Sequence, residues 1–359
     1  MAGFLRSKQQ EEITAANLKP GRAIQNNRLH IKNLDAIKGW AALIVCFAYI
    51  PGMDQPSFGA VGVWIFFVLS GFLLSISLEN NLPTQVFLSL PKYFVRRLCR
   101  LLPAYSFAIA VYSLVYHYFY SSNYADWAMT HLSFLKADGH FWSVKVELCF
   151  YLILPSILLL QAFLKSKLLK LFTLSTLFGL TFYFFEIKKT LAITGGSGYV
   201  ALYLAPFIMG IFLSVIRNYL PEKLYPIILH SGSFLIIYLC IDIPVFVNGF
   251  ARSGMEFTSN LGWHYPILFY PIAGLLVLGG YKGSSLLLNS PFIKSLGRCG
   301  YSFYLWHILV VVLLSRFKFN EFIMFFAVAF ITYLISIITF KFIELPFIDF
   351  AKMEPRQGL

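Results

Sequence analysis

Residues 59–79 read GAVGVWIFFVLSGFLLSISLE, and the single charged residue of this stretch, Glu79, is its last. About 20 helical residues, rising about 1.5 Å each, cross the roughly 30 Å hydrocarbon core of a bilayer. A run this long and this apolar predicts a transmembrane helix rather than a helix of a soluble domain. The stretch therefore predicts a membrane protein.

The composition of the whole chain indicates the same class. Of its 359 residues, 58% are hydrophobic and 13% are charged, and the net charge is +13. Soluble domains contain about 25% charged residues, so this chain lacks the polar surface that a soluble protein needs. In a soluble protein the positive charge would suggest a nucleic-acid partner. Here it indicates basic cytoplasmic loops, and we expect no nucleic acid.

Ten apolar runs qualify as membrane spans, which predicts an all-α polytopic membrane protein with about ten transmembrane helices. The runs are 34–51, 59–79, 101–121, 141–163, 171–186, 198–216, 224–248, 264–281, 299–315 and 322–343. Between the second and third runs, Pro91–Arg100 (PKYFVRRLCR) is basic and aromatic and predicts an additional interfacial helix. The expected domains are a polar tail (1–33), one membrane domain (34–348) and a second tail (349–359).

The basic residues between the runs predict the orientation in the membrane. Segments on the side of the N-terminus contain 20 Lys and Arg residues, and segments on the other side contain 6. Because cytoplasmic loops are enriched in basic residues, we expect both termini in the cytoplasm. The N-terminal tail contains no apolar segment typical of a cleavable signal peptide, so the first run is expected to act as a retained signal-anchor.

The cysteines predict neither a disulfide framework nor a metal site. They are odd in number, show no C-x2-C spacing and lie in or beside apolar runs. We expect them to be small packed side chains. The five are Cys46, Cys99, Cys149, Cys240 and Cys299.

Charged residues inside membrane spans cost several kcal/mol, so they are candidate functional residues. Asp35 and Lys38 are three residues apart at the start of the first run and can form an ion pair; a lysine that snorkels to the interface is the alternative. Tyr49 follows Lys38 by eleven residues, on the same helix face and about 16 Å further along the axis. The small residues Ala42 and Val45 between them predict a shallow track for a long, thin ligand.

A second polar group lies in GHFWSVKVELCFYLILP, residues 139–155. His140, Ser143 and Glu147 share one face of the predicted helix. A histidine that a carboxylate orients is the minimum equipment of a general base. A structural pair that joins Glu147 to a lysine or histidine is the alternative.

Two polar residues near the end of the chain allow two interpretations each. His307, which shares the run GYSFYLWHILVV with Tyr301, is either a packed core histidine or part of a site for an adenine or sugar ring. Glu344 precedes Pro346 in FKFIELP, which favours a structural helix end over a functional role.

Taken in order, these segments resemble the motifs of the acyltransferase-3 family of ten-span membrane acyltransferases. Residues 34–50 (LDAIKGWAALIVCFAYI) resemble its opening LDGLRGIAALLVVxxH, and residues 62–74 (GVWIFFVLSGFLL) resemble GVDxFFVLSGFLI. Residues 93–105 (YFVRRLCRLLPAY) are similar to F-x-x-RR-x-x-R-x-x-P, and residues 140–155 to HxWSLxVExxFYLxxP. GYSFYLWH and IELP resemble the closing YSxYLxH and xExP, so the similarity covers residues 34–348.

The resemblance implies transfer of an acyl group, usually acetyl from cytoplasmic acetyl-CoA, to a hydroxyl of an extracytoplasmic glycan or glycolipid such as O-antigen or capsule. It implies a place among the lipids of the bacterial inner membrane, and we expect no metal. The residues expected at the CoA phosphates are Lys38, Arg96, Arg97 and Arg100. Those expected to bind substrate are Asp35, Trp142, Ser143, Tyr301 and His307.

The chain departs from the family at one motif. The family pattern Arg-x10-His, whose His is usually assigned as the catalytic base, is Lys38 and Tyr49 here. A lysine keeps the charge but loses the bidentate fork, and a tyrosine is a proton donor at neutral pH. Three explanations compete: His140 with Glu147 is the base, the chain is an inactive or repurposed relative, or this copy is a substituted variant.

Two non-enzymatic functions are alternatives to the acyltransferase. A transporter or acyl carrier would use a broken helix such as that predicted at Asp242-Ile243-Pro244. A subunit for envelope assembly would bind no small molecule. We expect an acyltransferase, and the sequence contains no indication of oligomeric state.

Overall fold

The computed structural model describes residues 20–52, 56–79, 86–120, 124–134, 139–190, 203–236 and 266–352. These residues are mostly helical and contain no strand, which confirms the predicted all-α class. The broken helix predicted at Asp242-Ile243-Pro244 lies outside the described residues, as do Cys240 and most of both tails.

Fourteen helices are described, and we number them in chain order. The first six are α1 (Pro20–Ala48), α2 (Pro56–Glu79), α3 (Val86–Tyr120), α4 (Ala125–Leu132), α5 (Trp142–Phe163) and α6 (Lys167–Thr190). The next four are α7 (Ala205–Ile216), α8 (Leu224–Ile236), α9 (Pro266–Lys282) and α10 (Leu286–Asn289). The last four are α11 (Pro291–Arg298), α12 (Gly300–Leu314), α13 (Glu321–Thr339) and α14 (Leu345–Phe350). A π-helical turn, Phe340–Glu344, joins α13 to α14.

Each of the ten apolar runs coincides with one of these helices over at least part of its length. Within the described residues, four segments are long and apolar enough to cross a membrane, and α11 with α12 makes a fifth if the bent pair is one span. The four are Gly59–Leu78, Leu90–Phe119, Gly139–Phe163 and Glu321–Phe350. These helices identify an integral membrane protein, and the total of about ten spans stays a prediction.

The basic segment Pro91–Arg100 is helical but is not a separate helix. It is the first part of α3, which continues through Pro103 to Tyr120. A proline inside a helix removes one hydrogen bond and bends the axis, and the good helix formers between the two prolines keep the helix continuous. The arginines of this segment are therefore carried on the same helix that enters the core.

Helix α2 is the central element of the bundle. In the candidate span Gly59–Leu78, 67% of an 18-residue apolar window is buried, against 28% in the candidate span Glu321–Phe350. It packs most extensively against α1 and α7, and small residues allow the helices to approach closely. At Gly71 a Cβ atom would lie 2.2 Å from the carbonyl oxygen of Phe207 on α7. Only glycine permits this backbone contact.

A sharp bend between α11 and α12 shapes the site. Ser290 caps α11 by accepting a hydrogen bond from the Ile293 amide, and Pro291 follows at the first helical position. Helix α11 ends at Arg298, and α12 begins at Gly300 with an 85° change of direction. The bend brings the end of α11 and the first turn of α12 to one cavity.

The contact of α2 with α7 generates a stability prediction. Gly71→Ala forces the two backbones apart, and overpacking of this kind costs about 1–3 kcal/mol, so the midpoint of thermal unfolding in detergent falls. Gly179→Ala on α6 is the matched control, because its Cβ would meet nothing within 4 Å. The control keeps or slightly raises the midpoint, since alanine is the better helix former. Equal midpoints for the two variants would contradict the close contact.

Candidate active site

A cavity of about 410 Å³ lies inside the bundle, bordered by α1, α2, α3, α5, α11, α12 and the π-helical turn. Ligand pockets in proteins usually measure about 300–1,000 Å³. Apolar side chains of α2 form one wall, among them Val63, Phe67 and Leu74. The charged residues that line the cavity are Asp35, Lys38, Arg97, Arg100, Glu147, Arg298 and Glu344.

Each carboxylate of the cavity has a partner inside the protein. The Lys38 Nζ lies 3.0 Å from Asp35 Oδ1, so the predicted ion pair is present. The hydroxyl of Tyr151 donates to Glu147, and the hydroxyl of Ser302 donates to Glu344. Buried carboxylates are costly unless they are paired in this way.

Three guanidinium groups of the cavity remain available to an anion. Arg97, Arg100 and Arg298 form no salt bridge within the described part of the chain, and the Nε of Arg97 is buried without a hydrogen-bond partner there. Arg298 reaches the cavity because α11 packs tightly on α1, where a Cβ on Gly297 would lie 1.7 Å from the Asp35 carbonyl oxygen. Guanidinium groups bind phosphate with two parallel hydrogen bonds, so this end suits a phosphorylated ligand.

The other end of the cavity is closed by hydroxyl groups. Ser143 donates to the Tyr304 oxygen at 2.9 Å, and Tyr304 donates to the backbone carbonyl of His140 at 2.6 Å. Both Ser143 and Tyr304 line the cavity. Both hydroxyl protons are engaged in these bonds, so either group donates to an entering carbonyl oxygen only after its O–H turns away from its present acceptor.

A cluster of three rings lies directly behind Tyr304. The ring centre of His307 is 5.3 Å from that of Tyr49 and 5.3 Å from that of His140. The Tyr304 ring is 5.5 Å from each histidine ring. Residues that are far apart in sequence therefore meet at one point beside the cavity: Tyr49 directly after α1, His140 before α5 and His307 on α12.

Backbone carbonyls fix the protonation of both histidines. The Nε2 of His140 lies 3.1 Å from the Leu305 carbonyl oxygen, and the Nδ1 of His307 lies 2.6 Å from the Tyr304 carbonyl oxygen. A carbonyl only accepts hydrogen bonds, so these two nitrogens carry the protons. In the neutral rings the lone pairs are on Nδ1 of His140 and on Nε2 of His307.

The structure does not pair His140 with Glu147. Their side chains form hydrogen bonds with Leu305 and Tyr151 respectively. His140 lies in the 3-10 turn Gly139–Phe141 that precedes α5, so the regular helix spacing that predicted a shared face begins only after it. Glu147 lines the cavity, and His140 belongs to the ring cluster.

The shallow track predicted along α1 is wrong. Ala42 and Val45 are buried, and a Cβ on Gly62 of α2 would lie 2.5 Å from Val45 Cγ2. The small side chains serve helix packing, since α2 fills the space that a ligand was expected to occupy. The cavity runs along α2, α3, α5 and α12 instead.

The remaining expected residues divide between the cavity and its surroundings. Tyr301 lines the cavity, and its hydroxyl donates to the Leu101 carbonyl at 3.0 Å. Trp142 packs among aromatic rings, 4.9 Å from Tyr203 between ring centres, and does not line the cavity. Arg96 is exposed and also does not line it.

Two charged residues of the cavity were not predicted as part of the site. Glu344 is only 2% exposed and faces the cavity from the π-helical turn, a helix irregularity that often occurs at functional sites. The signal in the sequence was a carboxylate inside an apolar run. The proline that follows favoured its interpretation as a structural helix end instead. Arg298 had no sequence signal, because its place depends on the bend between α11 and α12.

The comparisons with known proteins identify the family. The family model described as an acyltransferase domain, acyltransferase-3, matches residues 31–341. The chain belongs to the acyltransferase-3 family. This membership confirms the resemblance of its motifs.

Curated relatives of this acyltransferase-3 chain carry O-acetyltransferase names. Peptidoglycan O-acetyltransferase OatA of Listeria monocytogenes is 26% identical, over 90% of this chain and 57% of its own length. YrhL of Bacillus subtilis, provisionally named a peptidoglycan O-acetyltransferase, is 28% identical over 79% of this chain and 49% of its own length. The chain thus spans about half the length of these relatives. No solved structure matches it.

The site generates a prediction about Tyr112 of α3. Its hydroxyl donates to the Leu305 carbonyl at 2.9 Å and accepts from the Leu309 amide at 2.9 Å, so it holds the segment of α12 that carries His307. Tyr112→Phe leaves buried backbone groups without that partner, which costs about 1–3 kcal/mol and lowers the unfolding midpoint. Tyr118→Phe, which removes an exposed hydroxyl from the same helix, is the control and leaves the midpoint unchanged. No difference between the two would contradict the positioning role.

Proposed function

We propose that this chain transfers an acetyl group from acetyl-CoA to a hydroxyl of a cell-envelope glycan. One observation carries the proposal: a single cavity joins a cationic end to hydroxyl donors beside a histidine cluster. Transfer of an acetyl group from the thioester of acetyl-CoA needs a site for the CoA phosphates and hydrogen-bond donors for the reacting carbonyl. It also needs a group that removes the proton of the acceptor hydroxyl. The family membership and the names of the relatives support the same reaction.

The donor enters in a defined orientation. The CoA phosphates bind Arg97, Arg100 and Arg298. Lys38 lies beside them and stays paired with Asp35. The pantetheine arm follows the apolar wall of α2, and the thioester carbonyl accepts a hydrogen bond from the Ser143 hydroxyl, whose O–H turns from the Tyr304 oxygen to the donor. Relative to the sequence prediction, Arg298 replaces Arg96 at the phosphates.

The chemistry is a direct attack on the thioester. The acceptor hydroxyl loses its proton to the cluster of Tyr49, His140 and His307 and adds to the carbonyl carbon. The carbon–sulfur bond breaks, and the thiolate of CoA leaves and takes up a proton. Glu147 and Glu344 keep the cationic end close to neutral when no donor is bound, which limits the cost of buried charge.

The acceptor is a glycan or glycolipid outside the membrane. Peptidoglycan is the first candidate, because two of the relatives carry that substrate in their names. O-antigen and capsule are the other acceptors expected from the resemblance. All three present sugar hydroxyl groups, so the site chemistry is shared.

The membrane arrangement is part of the proposal. It comprises about ten spans, both termini in the cytoplasm and a place in the bacterial inner membrane. This arrangement puts the arginines at the cytoplasmic end, where acetyl-CoA is present. The excess of basic residues on that side supports this orientation. The relatives' names do not favour a carrier or an assembly subunit.

The direct test is acetyl transfer by the purified chain in proteoliposomes. Radiolabelled acetyl-CoA is supplied with peptidoglycan fragments, O-antigen or capsular polysaccharide in separate reactions. Labelled, base-labile glycan in one of the three supports the proposal and names the acceptor. Neither labelled glycan nor released CoA in any reaction would overturn it.

The cationic end generates a prediction about the donor. Arg100→Gln raises KM for acetyl-CoA by about 10-fold or more, because a hydrogen bond to a charged group contributes about 1.5–3 kcal/mol. Arg96→Gln removes an arginine of the same helix that does not line the cavity, so it is the matched control and changes KM little. Similar KM values for both variants would show that the phosphates bind elsewhere.

Binding can also be measured without turnover. Acetyl-CoA that binds only the folded protein raises the midpoint of thermal unfolding, and the rise grows with ligand concentration. Arg100→Gln reduces the rise at a given concentration, whereas Arg96→Gln preserves it. A midpoint that acetyl-CoA leaves unchanged in the parent chain would contradict the proposed donor site.

A further inference from the structure

The family's catalytic histidine is absent from the first span, yet a histidine lies immediately behind the residue that replaces it. Tyr49 holds the motif position and is 38% exposed, whereas His307 is 0% exposed. Their rings meet edge to face with centres 5.3 Å apart. An acceptor from outside therefore meets Tyr49 before it can meet His307.

One ring nitrogen of His307 is prepared to accept a proton. Its Nδ1 donates to the Tyr304 carbonyl, so the lone pair of the neutral ring is on Nε2. This Nε2 is buried and has no hydrogen-bond partner among the described residues. Buried polar atoms are nearly always satisfied, so an unsatisfied one beside a candidate site calls for a functional explanation.

His140 is less suited to this role. Its ring contacts His307 and not Tyr49, so Tyr49 has no direct contact through which to transfer a proton to it. His140 is 2% exposed, and its ring centre is 5.3 Å from that of His307. Its carbonyl holds Tyr304 in place, which gives His140 a positioning role.

We propose that Tyr49 and His307 act as one acid–base relay, in which the exposed tyrosine transfers its proton to the buried histidine. This inference rests on the proposed acetyl transfer. It reconciles the loss of the motif histidine with activity, because the base is displaced from α1 to α12 and Tyr49 connects it to the acceptor. A hydrogen bond from Tyr49 to Nε2 forms in the loaded complex, as catalytic hydrogen bonds often do.

The proton balance of the step is complete. The acceptor hydroxyl adds to the thioester carbonyl carbon and gives its proton to the Tyr49 oxygen, while Tyr49 gives its own proton to Nε2 of His307. The new ester bond forms and the carbon–sulfur bond breaks. The imidazolium then returns the proton through Tyr49 to the CoA thiolate, and both residues regain their starting state.

The test is a set of variants assayed for acetyl transfer to the acceptor found above. In the parent chain, Tyr49→Phe and His307→Gln each lower turnover about 100-fold or more, the usual contribution of a general acid–base group. Tyr49→His keeps activity, since a histidine at the exposed position accepts the proton directly. In the Tyr49→His chain, adding His307→Gln lowers turnover far less than it does in the parent.

The effect of His307→Gln thus depends on the residue at position 49, and this dependence distinguishes the relay from a structural role of His307. If His307 only supports the fold, His307→Gln lowers turnover equally in both chains, and the relay is overturned. His131→Gln is the matched control, because His131 is equally buried, contacts a carbonyl through Nδ1 and makes no ring contact with Tyr49; it keeps most of the turnover.

The remaining outcomes distinguish the relay from the reaction itself. An active parent chain with an inactive Tyr49→His variant contradicts the relay and leaves the acetyl transfer standing. An inactive parent with an active Tyr49→His variant also overturns the relay, because the tyrosine then disables a site whose chemistry is intact. If neither chain transfers acetyl groups, the proposed function itself fails.

Discussion

Charge inside an apolar bundle must be neutralised, and this constraint organises the molecule. Every carboxylate of the cavity has a partner from its own helix or a neighbouring one: Asp35 has Lys38, Glu147 has Tyr151 and Glu344 has Ser302. Three arginines at the same cavity have no such partner within the described residues. Arg97 is half-buried and Arg100 and Arg298 are exposed, so these unpaired guanidinium groups are accessible to an anionic ligand.

The packing of the helices follows from the need to assemble that cavity. Glycine allows α2 to contact α7 and allows α11 to contact α1, so backbones approach where a Cβ atom would collide. The bend between α11 and α12 then turns Arg298 and Tyr301 toward the same space. Ser143 and Tyr304 close the opposite end, with the ring cluster of Tyr49, His140 and His307 beyond them, so the cavity connects two chemically different environments.

Features that depend on local spacing could be predicted from the sequence, and features that depend on tertiary contacts could not. The Asp35–Lys38 pair follows from a separation of three residues, and the membrane-spanning helix α2 follows from a long apolar run. The contact of Tyr49 with His307 joins residues that are 258 positions apart in sequence, so no local periodicity predicts it. The track along Ala42 and Val45 was misinterpreted because small side chains suit a ligand and a neighbouring helix equally well.

The central claim is that one cavity holds acetyl-CoA with its phosphates at the arginines and its thioester at the hydroxyl donors. An experimental structure of the chain with a non-hydrolysable acetyl-CoA analogue tests this most directly. The account predicts the phosphates within hydrogen-bond distance of Arg97, Arg100 or Arg298, and the carbonyl oxygen beside Ser143 and Tyr304. Analogue bound outside this cavity, or in it with the thioester at the arginine end, would contradict the account.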